Sequence, residues 1–273
     1  MNKPRLKTPL GACDTHMHFY DAKYPEAPTS PFYPPDVSVE DYRKIQERLG
    51  LERVVVVQPS TYGLDNECNL AAMAKLGANA RGVMLANQDT TDEELQRLTN
   101  LGVCGIRFHM LPGGALPWEI LEEMAARVYN FGWHVQLQMN GHEFPDRIEM
   151  LKRLPGNLVV DHVGRFMDPV AVDHEAFTAL LGLVEDGKCW VKLSAPYESS
   201  MNGLPKFEDV TVLARALVKA APERMLWASN WPHPNKKVRY DEADLLDTLL
   251  DWVDDDATRD RILADNPAEL YGF

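Results

Sequence analysis

The chain has 273 residues, 45% apolar and 25% charged, with 28 Lys+Arg against 41 Asp+Glu and a formal net charge of −13. Length and composition fit one large globular domain whose core needs no staples, and exclude collagenous, disordered and disulfide-framework chains. The acidic balance argues against nucleic acid and anionic membranes as partners, so an anionic substrate would need a local basic pocket.

Short apolar or β-branched runs recur along the chain at Ala12–His18, Arg53–Gln58, Gly82–Ala86, Val103–Phe108, His134–Gln138, Leu158–Asp161, Cys189–Leu193 and Met225–Ala228. The four consecutive valines Val54–Val57 predict a strand buried on both faces, as parallel sheets require. Amphipathic stretches alternate with these runs. Ser38–Leu49 has Ser38 as N-cap and Gly50 beyond its end, and Thr91–Leu101 carries Thr91 and Glu94 at capping-box spacing. Pro117–Phe131 starts on proline and stops before Gly132. Asp65–Leu76, Asp146–Arg153, Val172–Glu185, Phe207–Ala221 and Glu242–Val253 complete the series, with a last short helix at Asp256–Ala264. Strand and helix alternating eight times predict a single (β/α)8 TIM barrel over residues 1–273. The rival, a doubly wound open sheet, lacks its Gly-rich nucleotide loop. The Pro-rich segment Tyr24–Pro35 reads as an ordered loop over one barrel mouth.

Four cysteines without CxxC spacing point to a reducing compartment, and the N-terminal MNKPRLKTPLG lacks the apolar stretch of a secretory signal. The expected location is cytoplasmic. No run reaches the ~20 apolar residues of a spanning helix.

In such a barrel the chemistry lies at the C-terminal strand ends. Strand 1 ends in Asp14-Thr15-His16-Met17-His18, and two histidines two apart project to one side of an extended chain. Strand 2 is followed by Ser60, which has no GxSxG around it and is expected to make a polar substrate contact rather than act as a nucleophile. Arg107, in an apolar strand, requires a partner, either a protein carboxylate or a ligand. Strand 5 presents Gln138 at the useful end and His134 at the opposite, structural end. Strand 6 ends in Asp161-His162-Val163-Gly164-Arg165, and strand 7 in Lys192-Leu193-Ser194 followed by Tyr197-Glu198. Strand 8 ends in Ser229-Asn230-Trp231-Pro232-His233. His142 and His174 read as solvated surface.

His16-Met17-His18, Asp161-His162-Val163-Gly164-Arg165 and Trp231-Pro232-His233-Pro234-Asn235, on eight ordered strands, resemble the amidohydrolase superfamily. The resemblance is to the branch that contains 2-pyrone-4,6-dicarboxylate lactonase and D-galactarolactone isomerase. It implies an enzyme acting on a small carboxylated lactone of sugar-acid or pyrone type, by hydrolysis or, alternatively, by isomerisation between ring sizes. His16, His18 and His162 would polarise the carbonyl, Asn230 and His233 would position the nucleophile, and Arg107 and Arg165 would bind carboxylate. Tyr33, Ser60, Gln138 and Tyr197 would add polar contacts. Two departures matter. Asn230 stands where the lactonase has the Asp that activates water, and an amide takes no proton. The isomerase shares that replacement but lacks the first histidine of the pair, kept here as His16. Arg107 and Gln138 stand where metal-dependent members carry ligands, which implies no cofactor. The alternatives are zinc on His16, His18 and His162, or a metal-dependent hydrolase or decarboxylase. A barrel that only binds sugar acids, and a homo-oligomer, also remain open.

Overall fold

A computed structural model of the chain describes residues 2–30, 34–234, 236, 238 and 240–273. Eight parallel strands lie in sequence order: β1 (Cys13–Met17), β2 (Arg53–Val57), β3 (Ala80–Met84), β4 (Val103–His109), β5 (His134–Gln138), β6 (Leu158–Val160), β7 (Cys189–Ser194) and β8 (Met225–Ala228). Between them run α1 (Val39–Leu49), α2 (Glu67–Leu76), α3 (Asp92–Asn100), α4 (Leu121–Tyr129), α5 (Phe144–Arg153), α6 (Glu175–Glu185) and α7 (Glu208–Ala220). After β8 come α8 (Glu242–Trp252), α9 (Asp256–Asp260) and α10 (Asn266–Tyr271), the last two joined by a π-turn at Arg261–Asp265. This is the (β/α)8 barrel expected. Among the described residues, no helix is long and apolar enough to cross a membrane.

The valine run behaves as its pattern requires. Val54 and Val56 pack outward against the helices, while Val55 and Val57 join Val83, Val159, Trp190 and Leu226 inside the barrel. Each such burial contributes roughly 1.5–3 kcal/mol. Ser38 caps α1 in a full capping box with Asp41, and Gly50 closes it in the left-handed region, φ 71°.

Strand β3 starts two residues earlier than its apolar run suggests. Val54 pairs with Ala80, and the Leu85 N–H leaves the ladder to donate to Asn66 Oδ1 at 3.0 Å. α6 begins later than predicted, at Glu175, because His174 caps it through the Ala176 N–H. That histidine and His142, whose rings lie 5.5 Å apart, are half-buried rather than fully solvated. The described part of the Pro-rich segment is anchored by Ala27 N–H donating to the Thr61 carbonyl at 2.8 Å. Tyr33 lies outside the described residues, as does Asn235.

The seam between β8 and β1 is joined just beyond the strand ends. Asn230 N–H donates to the His16 carbonyl, and His18 N–H to the Trp231 carbonyl, both at 2.9 Å. Below them the buried Asp14 carboxylate accepts from Ser229 N–H, Ser229 Oγ, Tyr42 OH and His16 N–H. Barrel closure and the histidine pair therefore share one segment of chain.

Candidate active site

His16 and His18 project to the same side of β1, with their Nε2 atoms 3.2 Å apart. His162 leans against His16, ring centroids 4.9 Å apart. His18 Nδ1 donates to the Val57 carbonyl at 2.7 Å, so its Nε2 is an acceptor when the ring is neutral. Burial, and then the Arg107 charge, pushes His18 down to about 3. Burial likewise holds His16 and His162 well below the usual histidine range. Burial therefore favours the neutral form of all three rings. With its Nδ1 hydrogen spent on Val57, neutral His18 cannot donate to a carbonyl as expected; it can take a proton.

Under these rings lies a charged layer inside the barrel. Asp161 Oδ1 lies 3.2 Å from His16 Nδ1, and Asp161 Oδ2 accepts from Gln136 Nε2 at 3.1 Å. Lys192, fully buried on β7, donates to Gln136 Oε1 at 2.6 Å and to the Thr15 carbonyl at 2.8 Å, 3.7 Å from Asp161. Burial lowers Lys192 to about 8 despite the Asp161 charge. Asp161, His16 and His162 have donor atoms within 4.8 Å of one another.

A cavity of about 300 Å³ opens over this layer at the C-terminal strand ends. His18, Ser60, Arg107, His109, Gln138, His162, Arg165 and Asn230 line it, with Tyr20, Glu198 and Lys236. Arg107 donates to the Gln58 carbonyl at 2.7 Å and to Gln138 Oε1 at 2.8 Å; Asp161 lies 4.0 Å away. Arg165 pairs with Glu198 at 2.9 Å. The loop after β4 approaches so closely that a Cβ on Gly114 would sit 1.7 Å from the His109 carbonyl oxygen, so only glycine fits. Left-handed backbone recurs where the lining residues emerge, at His162 (φ 54°), Val163 (φ 54°), Arg165 (φ 51°) and Asn230 (φ 56°). Such strain persists only when packing over-determines it, and it concentrates at functional sites.

Several expected site residues occupy other places. Tyr197 and His233 stand behind Asn230, off the cavity wall: Asn230 Nδ2 donates to Tyr197 OH at 3.0 Å, and that hydroxyl meets His233 Nδ1 at 2.8 Å. The other ring nitrogen of His233 faces Glu242 at 3.3 Å, so this histidine is not placed to activate water. His16 is wholly buried beneath His18. The two terminal nitrogens of Arg107 are committed to protein oxygens, and Arg165 already holds a carboxylate, so neither offers the free bidentate fork expected. Lys192, a lysine between Val191 and Leu193, carries the same sequence signal as Arg107, a cation in an apolar strand. Asp161 and Glu198 carry no such signal, because their partners come from other strands.

A parallel barrel with neutral histidines, a buried charged layer and a polar cavity at its C-terminal mouth is the construction of a barrel enzyme. The chain belongs to the amidohydrolase family, whose model it matches over residues 13–273. It is 35% identical over 273 residues to the D-galactarolactone isomerase of Agrobacterium fabrum, covering 98% of this chain and 93% of that one. It is 34% identical over 284 residues to the 2-pyrone-4,6-dicarboxylate hydrolase of Comamonas testosteroni, covering 99% and 93%. An apo crystal structure from Agrobacterium tumefaciens superposes with a TM-score of 0.94 at 35% identity, covering 99% of this chain and 98% of that one.

Proposed function

We propose that this protein is an enzyme of acyl transfer at the carbonyl of a small carboxylated lactone, with a hydroxyl of the substrate itself as the nucleophile. The observation that carries this reading is Asn230 at the end of β8, its amide held by Tyr197, with His233 turned away to Glu242. Among the described residues, the β8 end therefore brings no base to the cavity. The ring acceptors that line the cavity are weak bases, His18 at about 3 and His109 at about 4. A weak base suits a nucleophile held in contact by its own molecule, where effective concentrations reach ~10⁵–10⁸ M. Arg107 would stabilise the oxyanion, joined by His162 when Ser194 Oγ, 2.8 Å from its Nδ1, acts as the donor to it. The full-length similarity to a lactone isomerase and a lactone hydrolase supports the substrate class.

Hydrolysis is the second reading, favoured by the same His18 acceptor acting on water. The two readings share attack on the carbonyl and differ in the nucleophile. NMR of galactarolactone and 2-pyrone-4,6-dicarboxylate incubated with the enzyme separates them: rearranged lactone supports the first, ring-opened acid the second. Unchanged substrate throughout a panel of carboxylated lactones sinks both.

The residues do not suit a divalent ion, and the proposed chemistry uses none. Asp161, the carboxylate of the His16–Asp161–His162 group, already accepts from Gln136 Nε2 and has Lys192 at 3.7 Å and Arg107 at 4.0 Å. An added divalent charge would meet two cations there. The free cysteines, most of them buried, support a cytoplasmic location.

A further inference from the structure

The cavity wall made by the ends of β6, β7 and β8 contains a carboxylate that the proposed chemistry does not use. Glu198 Oε2 lies 2.9 Å from an Arg165 terminal nitrogen, and its Oε1 lies 3.1 Å from Lys236 Nζ. A second Arg165 nitrogen donates to the Glu198 backbone carbonyl. The three side chains are 11%, 14% and 26% exposed for Arg165, Glu198 and Lys236, so the cluster is partly withdrawn from water. Among the described residues lining the cavity, Glu198 is the one carboxylate. The facing wall, from the ends of β2, β4 and β5, presents Arg107 with Ser60, His109 and Gln138. The two walls thus differ in kind: Arg107 donates to neutral oxygens with Asp161 4.0 Å away beneath the cavity, whereas Arg165 and Lys236 pair directly with an acid in the wall.

We propose that Glu198 is a specificity-determining residue, an internal carboxylate that occupies Arg165 and Lys236 so that this wall accepts a hydroxyl-bearing substituent and rejects a second anionic group. The proposal rests on the lactone reading above and adds to it which substituents the substrate carries. A second substrate carboxylate would have to share Arg165 with Glu198, and like charges that close in a partly desolvated site repel strongly. Displacing Glu198 instead would leave a half-buried carboxylate unpaired. A hydroxyl escapes both costs, because an ionised carboxylate has about four acceptor positions and a hydroxyl can donate to one left over.

Calorimetric titration of the full chain with furan-2-carboxylate and furan-2,5-dicarboxylate tests this. The rings are planar, unreactive and differ by one carboxylate; neither is a lactone, so binding is read whether or not the enzyme turns lactones over. Wild type should bind the monoacid at least as tightly as the diacid. Glu198→Gln keeps the side chain's size and removes its charge, and should raise the diacid-to-monoacid affinity ratio about tenfold. Lys236→Gln removes a cation and should lower that ratio. A cluster that merely ties the loops together would change thermal stability and leave the ratio alone. The proposal is overturned if Glu198→Gln moves the ratio by less than about threefold, if wild type already prefers the diacid about tenfold, or if no diacid binds the variant. Should Glu198→Gln fail to fold, Lys236→Gln decides: a ratio that does not fall overturns the proposal. A charge-dependent ratio with no lactone turnover would sink the functional reading and leave the Glu198 assignment standing.

Discussion

The backbone N–H of Asn230 donates to the carbonyl of His16 at 2.9 Å. One hydrogen bond thus joins the last strand of the barrel to the first, and ties the residue that replaces an acid to the histidine pair. The loop after β8 cannot move without moving His16, and His16 carries contacts to Asp161 and His18. The geometry of the site is therefore set by closure of the barrel, and substitutions at Asn230 that keep the backbone should alter chemistry more than fold.

Asn230→Asp is expected to shift the product toward ring-opened acid. A carboxylate there could accept a proton from water, and general-base assistance is typically ~10²–10⁴-fold. Product ratios by NMR on a single lactone give the answer. An Asp variant that opens the ring no faster than wild type would show that this position does not address the nucleophile.

Activity is expected to survive a strong chelator, because Arg107 and Lys192 flank the only carboxylate of the buried histidine group. Metal analysis of the purified chain, with assays before and after dialysis against chelator, checks this. Loss of turnover restored by zinc or manganese would replace the proposed chemistry with a metal-dependent one.

Arg107→Ala should weaken both the fold and substrate binding. It removes charged hydrogen bonds to the Gln58 carbonyl and Gln138 Oε1, each contributing about 1.5–3 kcal/mol, and leaves buried acceptors unpaired. Urea unfolding should show a loss of about 3 kcal/mol or more, and KM for carboxylated lactones should rise. Turnover per folded enzyme that stays unchanged for carboxylated and neutral lactones alike would assign Arg107 to structure alone.

Stability should fall as pH drops below about 6.5, the ordinary histidine value. Burial lowers His18 and His134 to about 3 and His109 to about 4, so the unfolded chain binds protons there that the folded chain does not. Unfolding is favoured on acidification from the unfolded value down to those folded values, by up to ~1.4 kcal/mol per pH unit for each histidine. Urea midpoints at pH 7, 6 and 5 measure the slope. His134→Gln, at the barrel end away from the cavity, should reduce it without changing the activity profile. A flat response between pH 7 and 5 would contradict the burial of these rings as neutral species.

The alternation of short apolar runs with capped amphipathic stretches was enough to determine the barrel, because each signal is local. Val54–Val57 reads as doubly buried without knowledge of its neighbours, and Ser38 and Gly50 mark the ends of α1 by their own conformational preferences. Strand-end position likewise made His18, His162, Arg107 and Asn230 legible as cavity residues, since a TIM barrel places its chemistry at those ends. Which atoms of these residues are free was decided only by contacts between distant segments. Tyr197 and Glu242 turned His233 away, Glu198 claimed Arg165, and Val57 fixed the protonated nitrogen of His18. Lys192 on β7 and Asp161 at the end of the paired β6 meet side by side, and only the curl of the sheet brings Thr15 and His16 of β1 to them. Hydrogen-bond donors and charges have meaning only relative to a partner, and in a barrel the partner of a strand-end residue belongs to another strand. The sequence therefore determined where the site lies, and closure of the sheet decided what each side chain in it can do.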